Sequence, residues 1–313
     1  MRYFVLVLFL FFSACSLKIN PAEYHKINAP KAKYLPSQNE INAQTKVLIL
    51  NISTNDPKTY FLLGSFKNLL ENAISKTSAV LIQRNKKTTL KEEIIYAQEA
   101  ELSNSNINSA DYVINAKILS SSYSHYYHKG YYWKDKKGRT HYEPPYYSYR
   151  GCVSAQIEII KIPQNYIAKT FYINDCAYDS SRYYQNKKRA LLYEALKGAI
   201  SNIQTKLKNF FAKKGYIIEI RKKDDVYILK TTLGAIDGIK EGDEVDVYTI
   251  KESINPLTNK PFKEIVKIAS GEVSNVIHQN TSWIIVKDPK TQIKIGDFVK
   301  PKFDEGFFKR LFE

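Results

Sequence analysis

Apolar positions along the first two thirds of the chain pass between strand and helix rhythms, and in the last third they keep to short strands. Residues 46–52 read Lys-Val-Leu-Ile-Leu-Asn-Ile, an apolar run that predicts a buried strand. From 61 to 78, Leu62, Phe66, Leu69, Leu70, Ala73 and Ile74 recur at the spacing of one helical face, and 79–82 return to strand. Thr89 and Glu92 form a capping box around Leu90, ahead of Ile94 and Ala97, so a second helix is expected to end near 102. Residues 111–119 predict a third strand. A long helix is expected over 186–214, with Leu192, Leu196, Ala199, Ile203, Leu207 and Phe210 on one face and Gly215 as its stop. Beyond Gly215 the strands are short: 216–221, 226–233, 244–250, 265–278, 282–287 and 298–301. They are divided by Asp237-Gly238, Glu241-Gly242-Asp243, Asn255-Pro256 and Gly296-Asp297. The fold class this predicts is α+β: an α/β sandwich over 44–214 followed by a small all-β barrel over 215–303. The phrases at 239–243 and 293–297, Ile-Lys-Glu-Gly-Asp and Ile-Lys-Ile-Gly-Asp, are each expected to turn into a strand.

Two further alternating runs, 153–162 and 166–175, meet around Pro163-Gln164-Asn165 and predict a hairpin. A turn about Gln164 sets Ala155 opposite Ile173 and Ile157 opposite Phe171, which makes one face apolar. The same register places Cys152 directly opposite Cys176, within reach of a disulfide.

The N-terminus decides the compartment in which that bond would form. Met1, Arg2 and Tyr3 precede an uncharged apolar run from Phe4 to Phe12, then Ser13, Ala14 and Cys15, the outline of an export signal over 1–14. The run falls short of the roughly 20 apolar residues of a spanning helix. Phe12-Ser13-Ala14-Cys15 resembles the bacterial lipobox, which implies lipidation of Cys15 with fatty acids such as palmitate. Ser16 follows the cysteine instead of Asp, which favours the outer membrane, facing the periplasm. Residues 15–43, punctuated by Pro21, Pro30 and Pro36, are expected to be a flexible tether, and 304–313 a tail. With Cys15 acylated, the other two of the three cysteines remain for the disulfide.

What is left, about 270 residues, suffices for two domains each with its own core. The net charge of +16 would ordinarily raise nucleic-acid binding, but export removes nucleic acid from the partners. Lipid headgroups, cell-wall polymer or acidic proteins take its place.

Several phrases carry a family resemblance. The opening strand, Val80-Leu81-Ile82-Gln83-Arg84 with the acidic helix after it, Ala110-Asp111-Tyr112-Val113-Ile114, and the strand Ile157 to Ile162 resemble the α/β domain of CsgG, LpoB and the N-terminal part of TolB. The second domain resembles the C-terminal domain of the flagellar protein FlgT through Gly234 to Asp243, Asn255 to Lys260 and Ile295-Gly296-Asp297. FlgT also places a TolB-like domain first. The resemblance implies an envelope or flagellar basal-body assembly factor. Its alternatives are a CsgG-like outer-membrane secretion channel, with a homo-oligomeric ring, and an LpoB-like activator of peptidoglycan synthesis, with peptidoglycan near at hand.

Residues 120–150 hold nine of the 24 tyrosines, with Trp133, His125, His128 and His141. Aromatic side chains concentrate contact area at little entropic cost. Tyr126, Tyr127, Tyr131, Tyr132, Trp133, Tyr146, Tyr147 and Tyr149 are therefore the candidate partner-binding residues in a Tyr-rich insertion, against the plainer reading of a hairpin packed on its own sheet. Lys134, Asp135, Lys136, Lys137, Pro144 and Pro145 break the alternation a membrane barrel needs, which argues against a pore. The histidines lack enough acidic or thiol neighbours to suggest a metal, and no GxSxG, HExxH or phosphate-cradling glycine loop is present. No cofactor, no metal and no enzymatic activity are expected.

Overall fold

The computed structural model describes residues 18–86, 88–103, 109–287, 289 and 291–303. The expected export signal over 1–14, Cys15 and the expected tail over 304–313 lie outside them. The chain divides into two units: an α/β unit, Gln44–Ala212, and a discontinuous β unit that joins the N-terminal stretch through Ala43 to Lys213–Phe303. The N-terminal stretch contributes a short strand, His25–Lys26 (β1), and one helical turn, Gln38–Asn42 (α1), opened by a Ser37/Glu40 capping box.

In the α/β unit the order is Lys46–Thr54 (β2), Leu63–Ser75 (α2), Val80–Leu81 (β3), Leu90–Ser103 (α3), Tyr112–His128 (β4), Tyr131–Lys134 (β5) and Thr140–Glu143 (β6). Tyr146–Lys161 (β7), Tyr166–Ser181 (β8), Lys188–Asn202 (α4) and Gln204–Phe210 (α5) complete it. Five strands form a mixed sheet in the order β3-β2-β4-β7-β8, parallel around β2 and antiparallel from β4 onward. One face buries Ile114, Ala116, Ile118, Ala155, Ile157 and Phe171 against Phe66 and Leu70 of α2, Leu192 and Leu196 of α4 and Leu207 of α5. At one end of the other face, Ala97 of α3 closes over Leu48, Val113 and Ile160. The Thr89/Glu92 capping box is present, with the Glu92 N–H donating to Thr89 Oγ1 at 3.3 Å and the Thr89 N–H to Glu92 Oε2 at 2.6 Å.

The helix expected over 186–214 is two helices. Ile203, at φ −104° and ψ 4°, leaves helical geometry between them, and the second helix buries Leu207, with Phe211 buried just past its end. The strands around the Tyr-rich stretch are much longer than the apolar runs that announce them. β4 continues nine residues past 119 to His128 and β7 begins at Tyr146, so only 129–145 projects beyond the sheet. Serine, tyrosine and histidine fill those extensions, and tyrosine favours a pleated surface almost as valine does.

The β unit adds Gly215–Lys223 (β9), Val226–Thr231 (β10), Glu244–Ile254 (β11), Pro261–Ile277 (β12), Ser282–Lys287 (β13) and Phe298–Lys302 (β14). These form one curled antiparallel sheet, β1-β9-β10-β13-β12-β11-β14. Its last strand returns to β9, with Phe298 beside Tyr216 and Val299 beside Gly215. Leu229, Val245, Val247, Val273, Ile284 and Val299 fill its interior. The two Lys-x-Gly-Asp phrases fold alike. Asp243 and Asp297 each accept the backbone N–H of the lysine three residues earlier, at 2.7 and 2.8 Å, and Gly242 and Gly296 take φ of 86° and 93°, which side chains resist. Each turn delivers the chain into a strand, β11 or β14.

The expected flexible tether is corrected for residues 18–36, which are laced onto the β unit. Ile19 is buried among Ile228, Trp283 and Ile285. The Asn275 side chain accepts the Ile19 N–H at 2.7 Å and donates to its carbonyl at 3.3 Å. Arg221 Nη1 donates to the Pro21 carbonyl at 2.8 Å, and β1 pairs with β9, His25 opposite Lys222. Further on, Ala32 and Pro30 exchange backbone hydrogen bonds with Ile295, at 2.7 and 3.0 Å. Leu35 lies over Gly296, where a Cβ would come within 2.6 Å of it. Prolines suggest a loose chain, but Ile19 just before Pro21, and Ile27 and Ala29 between Pro21 and Pro30, find apolar seats.

Candidate functional site

The candidate surface is the far half of the β4–β7–β8 sheet and the hairpin at its tip. Alternation gives each strand two faces. On the helix-facing side lie Tyr123, His125 and Tyr127 of β4 and Tyr147, Tyr149 and Gly151 of β7, paired in register. Gly151 is required there, since a Cβ would lie 2.8 Å from that of Leu191 on α4. Tyr184 closes over the cluster, its ring 5.1 Å from His125 and 5.7 Å from Tyr147.

Tyr149 is therefore not a partner-binding residue. Only 2% exposed, it accepts the Gln185 N–H at 2.8 Å, reaches Ser181 Oγ and the Tyr183 carbonyl at 3.2 Å each, and carries Lys187 Nζ 5.5 Å above its ring. Its place on β7 puts it on the helix side. Lys187 also donates to Asp179 at 2.6 Å, and that bond first of all holds the Asp179 carboxyl below the usual carboxylate range.

The opposite side is open. Tyr126 is 67% exposed; His128 stacks on Tyr146 at 4.3 Å and holds Ser148 Oγ at 2.9 Å. Cys152 and Cys176 are joined by a disulfide between β7 and β8, Cα atoms 4.1 Å apart, and the Arg150 guanidinium sits over the Tyr178 ring. Tyr172 and Tyr178 extend this exposed aromatic surface onto β8. Sequence reasoning confined to 120–150 missed them, although the alternation of 166–175 already separates Tyr172 from the apolar face.

At the tip, β5 and β6 form a two-stranded hairpin exposed on both sides. Tyr132 faces Tyr142 at 4.8 Å, and Trp133 stacks on His141 at 4.6 Å. Asp135 organises the turn: its carboxylate accepts the backbone N–H groups of Lys137 and Arg139, at 2.9 and 3.0 Å, and the Arg139 Nε at 2.9 Å. The Arg139 N–H above all, with His141 and the Arg139 side chain, holds this carboxyl low. Gly138, at φ 77°, completes the bend. Of the expected partner residues, Tyr126, Tyr127, Tyr131, Tyr132 and Trp133 are exposed, while Tyr146 and Tyr147 are half-buried.

The three histidines do not converge: His125 faces the helix side, His128 the open side, and His141 the tip. Among the described residues no group of three His, Cys, Asp or Glu side chains is placed to hold a metal. Arg84, prominent in the family resemblance, forms a bidentate ion pair with fully buried Glu93, at 2.8 and 2.7 Å, which ties the stretch after β3 to α3. Among the described residues no helix is long and apolar enough to cross a membrane.

Neither a protein-family model nor a curated protein sequence matches the chain. Among solved structures, it is similar to a point variant of the PelC dodecamer from Paraburkholderia phytofirmans at 10% identity, over 58% of this chain and 96% of that one, with a TM-score of 0.28. It is similar to a putative neuraminyllactose-binding hemagglutinin homolog from Helicobacter pylori at 12% identity, over 58% and 90%, with a TM-score of 0.32. Lipoprotein GNA1162 from Neisseria meningitidis matches at 12% identity over 51% and 96%, with a TM-score of 0.26. Likenesses at these scores assign neither family nor function.

Proposed function

We propose that this chain is a lipid-anchored periplasmic scaffold of the outer membrane, a non-enzymatic assembly factor of an envelope machine, with the flagellar basal body as the first candidate. The lipobox-like Cys15 supports the anchor, and the resemblance to a TolB-like domain followed by a FlgT-like domain supports the machine. In this reading the curled sheet of the β unit is a small closed barrel.

The observation that carries the proposal is the tip hairpin. Tyr131, Tyr132, Trp133 and Tyr142 are between 44% and 73% exposed, on both faces of a two-stranded ribbon that covers no core of its own. An isolated ribbon is marginal in water, and rigid aromatics at its surface are what a partner groove takes up. Strand length alone would suit a channel, since β4 has 17 residues and β7 has 16. A lipid-facing strand also needs an apolar side, and the open side offers Ser120, Ser122, Ser124, Arg150 and the disulfide instead.

The test is genetic. Deleting the gene should abolish motility or another envelope function, and a Y131A/Y132A/W133A chain present at normal level should fail to restore it. A deletion that leaves every envelope machine intact would end the proposal, as would full restoration by the tip variant.

A further inference from the structure

We infer that residues 18–36 are a strap that brings the membrane anchor to the β unit, so that this unit's surface around Ile19 sits against the phospholipid headgroups. The inference rests on the reading of Cys15 as the acylated residue.

Chain length makes the point. A free tether of about 28 residues would give a coil with an end-to-end distance of roughly 30 Å. Only four peptide steps separate Cys15 from Ile19, and four steps span at most about 14 Å. Ile19 is 6% exposed and fixed at both backbone atoms by one Asn275 side chain.

The attachment is spread over the whole strap rather than resting on one plug. The Ile27 N–H donates to the Ile220 carbonyl at 3.1 Å, Lys223 pairs with Glu23 at 2.9 Å, and Lys33 pairs with Glu252. Lys263 lies over the Tyr34 ring at 4.2 Å. Apolar burial, strand pairing, a bidentate amide and two ion pairs thus act in series along 18–36, and a pull at residue 15 meets Ile19 and Asn275 first. Lys18 precedes Ile19 in the chain, Arg221 lies over the Trp283 ring at 5.2 Å and Lys223 over the Tyr24 ring at 5.9 Å, all of a sign that suits phosphate headgroups. Glu23 already offsets the charge of Lys223.

Trp283 forms the floor under Ile19, and the chain has only one other tryptophan, Trp133. The full acylated protein carrying W133F is placed in phosphatidylethanolamine/phosphatidylglycerol vesicles doped with nitroxide-headgroup lipid, and quenching of Trp283 is recorded. Strong quenching is expected. It should fall about twofold or more when some ten Gly-Ser residues are inserted between Ser16 and Leu17, which lengthens the link and leaves the strap seated. I19D, which unseats the strap, should lower it as well. Equal quenching with and without the insertion, with the acyl mass on Cys15 shown by mass spectrometry, overturns the strap and leaves the anchor standing. Absence of that acyl mass overturns the anchor and this inference together.

Discussion

The strap at 18–36 and the tip at 129–145 look alike in composition, both rich in lysine, tyrosine and proline, and they end in opposite states. The strap lies along a sheet with Ile19 buried. The tip stands clear with Tyr132 73% exposed. The difference lies in side-chain chemistry: the strap seats Ile19, Ile27 and Ala29 against apolar clusters of the sheet, and the tip carries no aliphatic residue at all. Aliphatic groups gain only by leaving water, about 25 cal/mol per Å², whereas tyrosine is content half-wet. A few aliphatic positions thus separate a segment that completes a core from one left exposed to solvent.

Three substitutions on the strap side and in the sheet below the tip should break this comparison, in decreasing order. I19D places a carboxylate among Ile228, Trp283 and Ile285. The strap should lift away at a cost of about 3 kcal/mol in urea unfolding, with tryptic cleavage at Lys26 and Lys31 greatly accelerated. In the sheet that carries the tip, C152S/C176S opens a bond with a sequence separation of 24, and chain entropy sets the loss at about 3 kcal/mol or somewhat less. Dithiothreitol should reproduce it in the native chain. N275A removes two hydrogen bonds from an exposed side chain that holds Ile19 and should cost about 1 kcal/mol, with the same protease signature at lower amplitude.

Acid should act more gently. The carboxyls of Glu23 and Glu252 are held below the ordinary glutamate value of 4.5 by hydrogen bonds from Lys223 and Lys33. Groups with a depressed folded value support the fold above the unfolded value and lose that support as pH falls through the folded one. Tryptic protection of the strap should therefore be the same at neutral and mildly acid pH and loosen only below 4.5. Both side chains are exposed, so the change should be small and should shrink further in salt. Loosening already at neutral pH would show that the ion pairs are not what acid removes.

Much of the core architecture is legible from residue order. The 3.6-residue rhythm marks α2 and α3, and the turn glycines mark the β unit. The pairing of Ala155 with Ile173 and of Ile157 with Phe171 is the one that hydrophobic alternation dictates. Three things escape that reading, each for a physical reason. Strand ends built from Ser and Tyr show no apolar contrast, so the continuation of β4 to His128 is invisible. Tyr149 and Tyr126 are the same residue type on opposite faces, and only the register past the irregularity between Ile118 and Ser120 separates them. Ile19 and Asn275 lie 256 positions apart, and no local pattern announces so distant a contact.

The smallest expected change in stability belongs to the tip, and it is the sharpest test of the contrast. Y131A/Y132A/W133A removes three large side chains, yet none covers a core. Stability should move by no more than about 0.5 kcal/mol, within the range of surface substitutions. The same three changes made to buried aromatics would cost several times that. If the urea midpoint of the variant falls as far as that of I19D, the tip is part of the fold and the aromatics serve packing. If the midpoint holds while the proposed envelope function is lost, stability and function separate along the chain. Ile19 then keeps the molecule together, and Tyr131, Tyr132 and Trp133 are kept for what the molecule meets.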